Sequence, residues 1–276
     1  MRFRIKAALS YGVNGPCSFL FNVAALQNRF QHVTEESLTI ENGEPPTEFL
    51  FNGARFHRAK SRGPELRLDY CATVALSPEV EKNLTLPVRS LAELPAEVLI
   101  YLFPSRYCQS DSLLRFAQSE FWAEHLTGFE LVTRLCNWIY QKVGYRRGAT
   151  TSSTSAFDTV TKREGVGRDF AHLGIALCRA LGVPARFVSA YAYGLTPPDF
   201  HAVFEAYLGD RWYLFDPSRL APQSSFVRVG TGRDAADTSF ATFFGPALFR
   251  GMTIAVEAED GGAPPYVIQP ISSSDG

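Results

Sequence analysis

Residues 200–218 read FHAVFEAYL-GD-RWYLFDPS, two β-rich apolar runs separated by a two-residue Gly-Asp loop. Such a loop joins neighbouring antiparallel strands, because a glycine-containing two-residue turn matches the right-handed twist of its flanks. The turn also sets the register of everything that follows it. With Gly209 and Asp210 at the turn, Leu208 faces Arg211 and Val203 faces Asp216. His201 then lies one diagonal step from Asp216 on the same sheet face. Diagonal neighbours are about 7–8 Å apart, within reach of an imidazole and a carboxylate. An aspartate that fixes a histidine's tautomer and stabilises its protonated form is the base half of a nucleophilic triad. The same residues also suit a simpler role, a strand-end histidine and an Asp-Pro turn, and a one-residue slip would part them.

A dyad needs a nucleophile, and the helix just upstream is the place to look. Phe170, Gly174, Leu177, Cys178 and Leu181 recur at helical spacing over 167–181, and Gly182 and Pro184 end the run. A helix N-terminus offers unpaired N–H groups and a positive dipole end, which favour a thiolate and an anionic intermediate. The residue at that start is Gly167, an acceptable N-cap with no side chain to react.

The rest of the chain supplies a frame. Apolar stripes predict helices over 111–125 and 129–143, with Cys136 inside the second stripe and Gly144 as its stop. Ser155 reads as the N-cap of a short helix over 156–163, with Asp158 three residues on. Alternation over 2–9 and apolar segments at 18–26, 48–59 and 66–76, punctuated by Gly, Pro and Asn, suggest a sandwich-like or barrel-like front module. The expected organisation is α+β: a β-rich unit over 1–95, a core of helices and antiparallel sheet over 96–258, and a loose extension over 259–276.

Charge excludes little but directs the search. With 27 basic and 28 acidic residues and no basic stripe, nothing recommends a nucleic-acid partner. No apolar run approaches the ~18–20 residues of a membrane span. At the start, Arg2, Arg4 and Lys6 alternate with Phe3, Ile5 and Ala7, which suits an amphipathic edge strand better than a signal peptide. Five cysteines without C-x-x-C and five histidines without ligand spacing predict neither a disulfide frame nor a zinc site. No D-x-D-x-D-G loop invites calcium. The expectation is no cofactor and a reducing cytoplasm.

The stretches GVGRDFAHLGIALCRALGVPARFVSAY and FHAVFEAYLGDRWYLFDPS together resemble the core of the bacterial transglutaminase-like family, within the papain-like superfamily of cysteine acyl-transfer enzymes. The family pattern is G-V-C-x-D-F opening an aliphatic helix, then H-A-x-x-E on a strand, then D-P after an aromatic strand. The match is dense over about 150–220. SRYCQSD (105–111), GRDAADTSFATFFG (232–245) and the β-rich front half resemble one bacterial subgroup. The resemblance implies a papain-like fold, His201 as general base and Asp216 as its orienting carboxylate. It places Gly167 where the family has its nucleophilic cysteine.

Among other residues only Cys108 is less easily dismissed on sequence grounds, since distant segments can meet in a fold. Cys178 lies on the apolar stripe, about 16 Å further along the helix axis. Cys108 sits in a loop before a helix, far upstream; Ser155 and Ser218 suit cap and turn. Asp169 suits the helix dipole, and His172 points about 140° away from position 167. Three functions stay open: a cysteine acyl-transfer enzyme that lost its nucleophile by deliberate substitution or recent loss, a natural pseudoenzyme that binds a peptide or protein, and a weak hydrolase using His201 and Asp216 to activate water. The implied partner is a peptide or protein with an amide or glutamine acyl donor.

Overall fold

A computed structural model describes residues 1–122, 125–259, 261, 264 and 269–274. The front half forms β1 (Arg2–Val13), β2 (Ser18–Phe21), β3 (Gln31–Glu41), β4 (Thr47–Phe51), β5 (Ala54–Lys60) and β6 (Glu65–Leu76). The expected apolar segment 48–59 is two strands, turned at Asn52 and Gly53, which both have positive φ (49° and 75°). β3 has mostly exposed side chains, so it carried no alternation to read.

Two strands from much later complete this module, β14 (Ala241–Phe244) and β15 (Ala247–Ala258). The sheets run β15-β1-β6-β3 and β14-β2-β5-β4. Their inner faces share one core, including Phe3, Ile5, Leu9, Phe19, Phe21 and Leu68, as in a sandwich. β1 alternates as expected but is an interior strand, since β15 covers the edge that its sequence suggested. The expected unit 96–258 is thus drawn differently by the hydrogen bonds: its last two strands belong to the front sheets.

The core is built on a third sheet, β13-β10-β11-β12-β16-β7, with short outer strands β7 (Glu79–Val80) and β16 (Ile271–Ser272). Its centre is β10 (Ala185–Ala192), β11 (Phe200–Leu208), β12 (Arg211–Phe215) and β13 (Phe226–Gly232). The β11–β12 register runs from Leu208–Arg211 to Phe204–Phe215, as the Gly-Asp turn dictates. Glu205 is fully buried between Arg186 (2.7 Å) and Arg228 (2.6 Å), and Ser274 of the C-terminal segment also donates to it (3.0 Å). Part of the expected loose extension is therefore fastened to the core. Residues 260, 262–263, 265–268 and 275–276 lie outside the described residues, as do 123–124 near the expected end of the 111–125 helix.

Among the described residues, five α-helices accompany the sheet: α1 (Ala96–Leu99), α2 (Ser110–Phe121), α3 (Gly128–Lys142), α4 (Ala156–Lys162) and α5 (Gly167–Ala180). Ser155 caps α4, exchanging hydrogen bonds with Asp158. α5 is buried along most of its length. A Cβ at Gly174 would stand 2.5 Å from the Phe204 ring, so glycine is what lets α5 approach β11. A short parallel pair, β8 (Gly144–Tyr145) and β9 (Glu164–Gly165), brings Tyr145 beside the entry to α5.

One face of the central sheet carries two neighbours. Phe187, Ser189 and Tyr191 on β10 share a face with their partners Phe204, Ala202 and Phe200 on β11. At one end of this row Phe187 and Phe204 pack with α5; at the other, Tyr191 joins the front core. Small side chains, Ser189 and Ala202, lie between.

Candidate active site

Gly167 is the first residue inside α5, not its cap; Val166 holds the cap position with extended backbone. Asp169 secures this turn, its Oδ2 accepting the Val166 N–H (2.9 Å) and its Oδ1 accepting from Arg168 (3.3 Å). The Gly167 backbone is outside the left-handed region, so no conformational demand excludes a side chain there. A Cβ at position 167 would lie 3.3 Å from His201 Nδ1, 3.4 Å from its Cε1 and 3.8 Å from the Ala202 carbonyl.

The imidazole is held from its other nitrogen. His201 Nε2 is 2.8 Å from Asp216 Oδ2, and both side chains are buried. Asp216 Oδ1 accepts from the Ser218 N–H (2.8 Å) and hydroxyl (2.6 Å), so this aspartate builds a turn and holds the histidine at once. Burial alone would raise the Asp216 carboxyl; the adjoining His201 charge and the bonds from His201 and Ser218 outweigh it and hold the group below the usual range. An ionised carboxylate only accepts, so Nε2 donates to Asp216, and Nδ1 is the ring nitrogen that faces position 167. The Phe226 ring meets the imidazole edge-on at 5.2 Å, keeping it in place.

The other nucleophile candidates are removed from this chemistry. Cys108, Cys136 and Cys178 lie in the helical core. Burial pushes the Cys108 thiol up to about 12 and the Cys136 and Cys178 thiols well up too. Ser155 serves α4, and Ser218 serves Asp216. His172 is fully buried, stacked on Tyr107 at 5.0 Å, and its Nε2 accepts the Ala235 N–H at 3.1 Å. Burial holds its pKa well below the ordinary value, which matches a neutral acceptor that positions the 233–238 loop.

Gly167 and His201 open onto a cavity of about 860 Å³. Its floor is the small-residue gap at Ser189 and Ala202, between α5 and the front module. Tyr107, Tyr145 and Arg168 stand on the α5 side; Phe200, Phe240 and Phe249 stand opposite. Sequence reasoning pointed to Gly167, His201 and Asp216, which the fold brings together, and to Arg168 beside them, but not to the aromatic lining. Tyr145 and Phe249 reach the cavity through strand pairings that no local pattern announces.

Comparisons with known proteins bear on the family and the fold. The "Bacterial transglutaminase, N-terminal domain" profile matches residues 1–97, and the "Transglutaminase-like superfamily" profile matches 117–217. A crystal structure of a candidate cysteine protease from Cytophaga hutchinsonii is 42% identical with a TM-score of 0.93, covering 99% of this chain and 97% of that one. The chain belongs to the transglutaminase-like superfamily and has its papain-like cysteine-protease fold. Among curated proteins, an uncharacterized protein of Mycobacterium leprae is 32% identical over 117 residues, 39% of this chain and 42% of that protein. Another, of Mycobacterium bovis, is 36% identical over 124 residues, 39% of each. The match thus spans about two fifths of the length of these relatives.

Proposed function

We propose that the cleft is the acyl-transfer site of a cysteine protease or transglutaminase-type protein, acting on amide or peptide bonds, with its nucleophile position occupied by glycine. One observation carries this reading. A side chain begun at position 167 would meet His201 Nδ1 at 3.3 Å, while Asp216 holds the opposite nitrogen at 2.8 Å. A thiol there would give its proton to His201. The thiolate would attack the amide carbonyl, His201 would protonate the leaving amine, and an amine or water would resolve the thioester. The 3.3 Å spacing asks His201 to yield by only a few tenths of an ångström. Without that thiol the chain forms no acyl-enzyme, since losing one member of such a unit costs several orders of magnitude in rate. A reducing, cytoplasmic setting is part of the same proposal, supported by five unpaired cysteines.

The test is Gly167→Cys, followed by iodoacetamide alkylation of the introduced thiol from pH 5 to 9. The expected result is a thiol that reacts at pH 6 about tenfold faster than in Gly167→Cys/His201→Ala, because pairing with imidazolium keeps it ionised below the usual ~8.5. A profile like that of a free cysteine, indifferent to His201, would sink the acyl-transfer reading and leave a pseudoenzyme that binds a peptide in the same cleft. The hydrolase reading, with water activated by His201 and Asp216, requires amidase activity in the unaltered chain that His201→Ala abolishes.

A further inference from the structure

The two sides of the cleft differ in chemistry. The α5 side is polar and aromatic, with Tyr107, Tyr145, Arg147 and Arg168. The front-module side is apolar and drawn from three separate segments. Phe200 comes from the start of β11, Phe240 from the loop before β14, and Phe249 and Met252 from β15. Phe200 and Phe240 stack at 4.9 Å with their planes 9° apart, and Phe249 closes on Phe240 at 6.2 Å. Phe249 is 40% exposed, while Phe200, Phe240 and Met252 are half-buried against the front core, so the wall is a partly open surface.

Two features tie the wall to the chemistry. Phe200 directly precedes His201, and it lies two residues along β11 from Ala202, whose carbonyl borders position 167. That separation is about 7 Å along the strand, the same-face step between residues two apart on an extended peptide. The second feature is a register shift. β15 pairs Met252 with Leu9 and Phe249 with Tyr11, leaving Arg250 as an extra residue. Plain alternation would send side chains three residues apart to opposite faces. The bulge turns both Phe249 and Met252 toward the cleft, a use of bulges typical beside active sites.

We infer that Phe200, Phe240, Phe249 and Met252 form a side-chain subsite for an aromatic or large aliphatic residue two positions from the residue whose amide is attacked. The inference rests on the acyl-transfer reading for which amide lies at position 167. The front module is then part of substrate selection, since β15 supplies two of the four side chains.

Binding by the unaltered chain tests this without any reaction. The probes are fluorescein-labelled glycine pentapeptides with one central glutamine, carrying phenylalanine or aspartate two positions before or after it, read by fluorescence anisotropy. Phenylalanine on one side of the glutamine should bind at least about tenfold more tightly than aspartate there. Phe249→Ala should remove that ratio, and Phe249→Leu should restore most of it. Melting curves of both variants show whether the fold is intact, and Met252→Ala provides the same reading should Phe249→Ala unfold. Equal binding of the two peptides, absence of binding by all of them, or a ratio that survives both alanine variants overturns the subsite. If His201-dependent alkylation of Gly167→Cys persists beside such a result, the acyl-transfer reading stands and only the subsite falls. A phenylalanine preference with no His201-dependent alkylation is the reverse case.

Discussion

At the level of single residues, the site depends on three positions, two of which the sequence places through one turn. Gly209-Asp210 fixes the register, and the register brings His201 to Asp216. Which imidazole nitrogen faces position 167 was not legible, because that depends on a rotamer and on where α5 begins over the sheet. Position 167 as first helical residue rather than cap was equally hidden, since Val166 carries no capping side chain. Removing the orienting charge should matter as much as geometry allows. In the Gly167→Cys background, Asp216→Asn should slow alkylation at pH 6 by ~10-fold or more, by holding the imidazole in the wrong tautomer. The native thiols give a clean background for that measurement. Cys17, Cys108, Cys136 and Cys178 are buried and Cys71 is half-buried. An aromatic disulfide reagent should therefore titrate Cys71 alone promptly in the folded chain, and all five thiols in denaturant.

Among the elements, α3, α4 and α5 begin within a residue of where their stripes and caps predicted, and end within one as well. Helical periodicity and a serine cap are local signals, which is why they were readable. β3 was not, having its side chains in solvent, and β4 and β5 merged because a positive-φ Asn-Gly turn interrupts no hydrophobic run of their length. Two substitutions test the local accounts by urea denaturation. Gly174→Ala should destabilise by about 1–3 kcal/mol, because its Cβ would press on the Phe204 ring and push α5 off β11. Ser155→Ala should cost about 1 kcal/mol through loss of the α4 cap.

For the molecule as a whole, the two modules are held by long-range terms that local sequence does not display. Burial alone would raise Glu205, yet Arg228 and Arg186 hold its carboxyl at about 2, against an ordinary 4.5. A lowered folded pKa means stability present above 4.5 and lost as pH falls from there toward 2, with Asp216 acting in the same direction. The urea midpoint should therefore drop steeply below pH 4.5. Glu205→Gln should be destabilised at neutral pH, by about 3–5 kcal/mol, and show a flatter acid limb. The return of β14 and β15 to the front sheets was the largest feature missed, because pairing across most of the chain leaves no mark on periodicity. It also orders events during synthesis. β1 leaves the ribosome with one edge of a hydrophobic sheet open, and that edge waits until every strand of the core sheet but the short β16 has been made before β15 arrives. A chain halted just before β15 would already contain both His201 and Asp216, while still lacking Phe249 and Met252, which line the front-module side of the cleft.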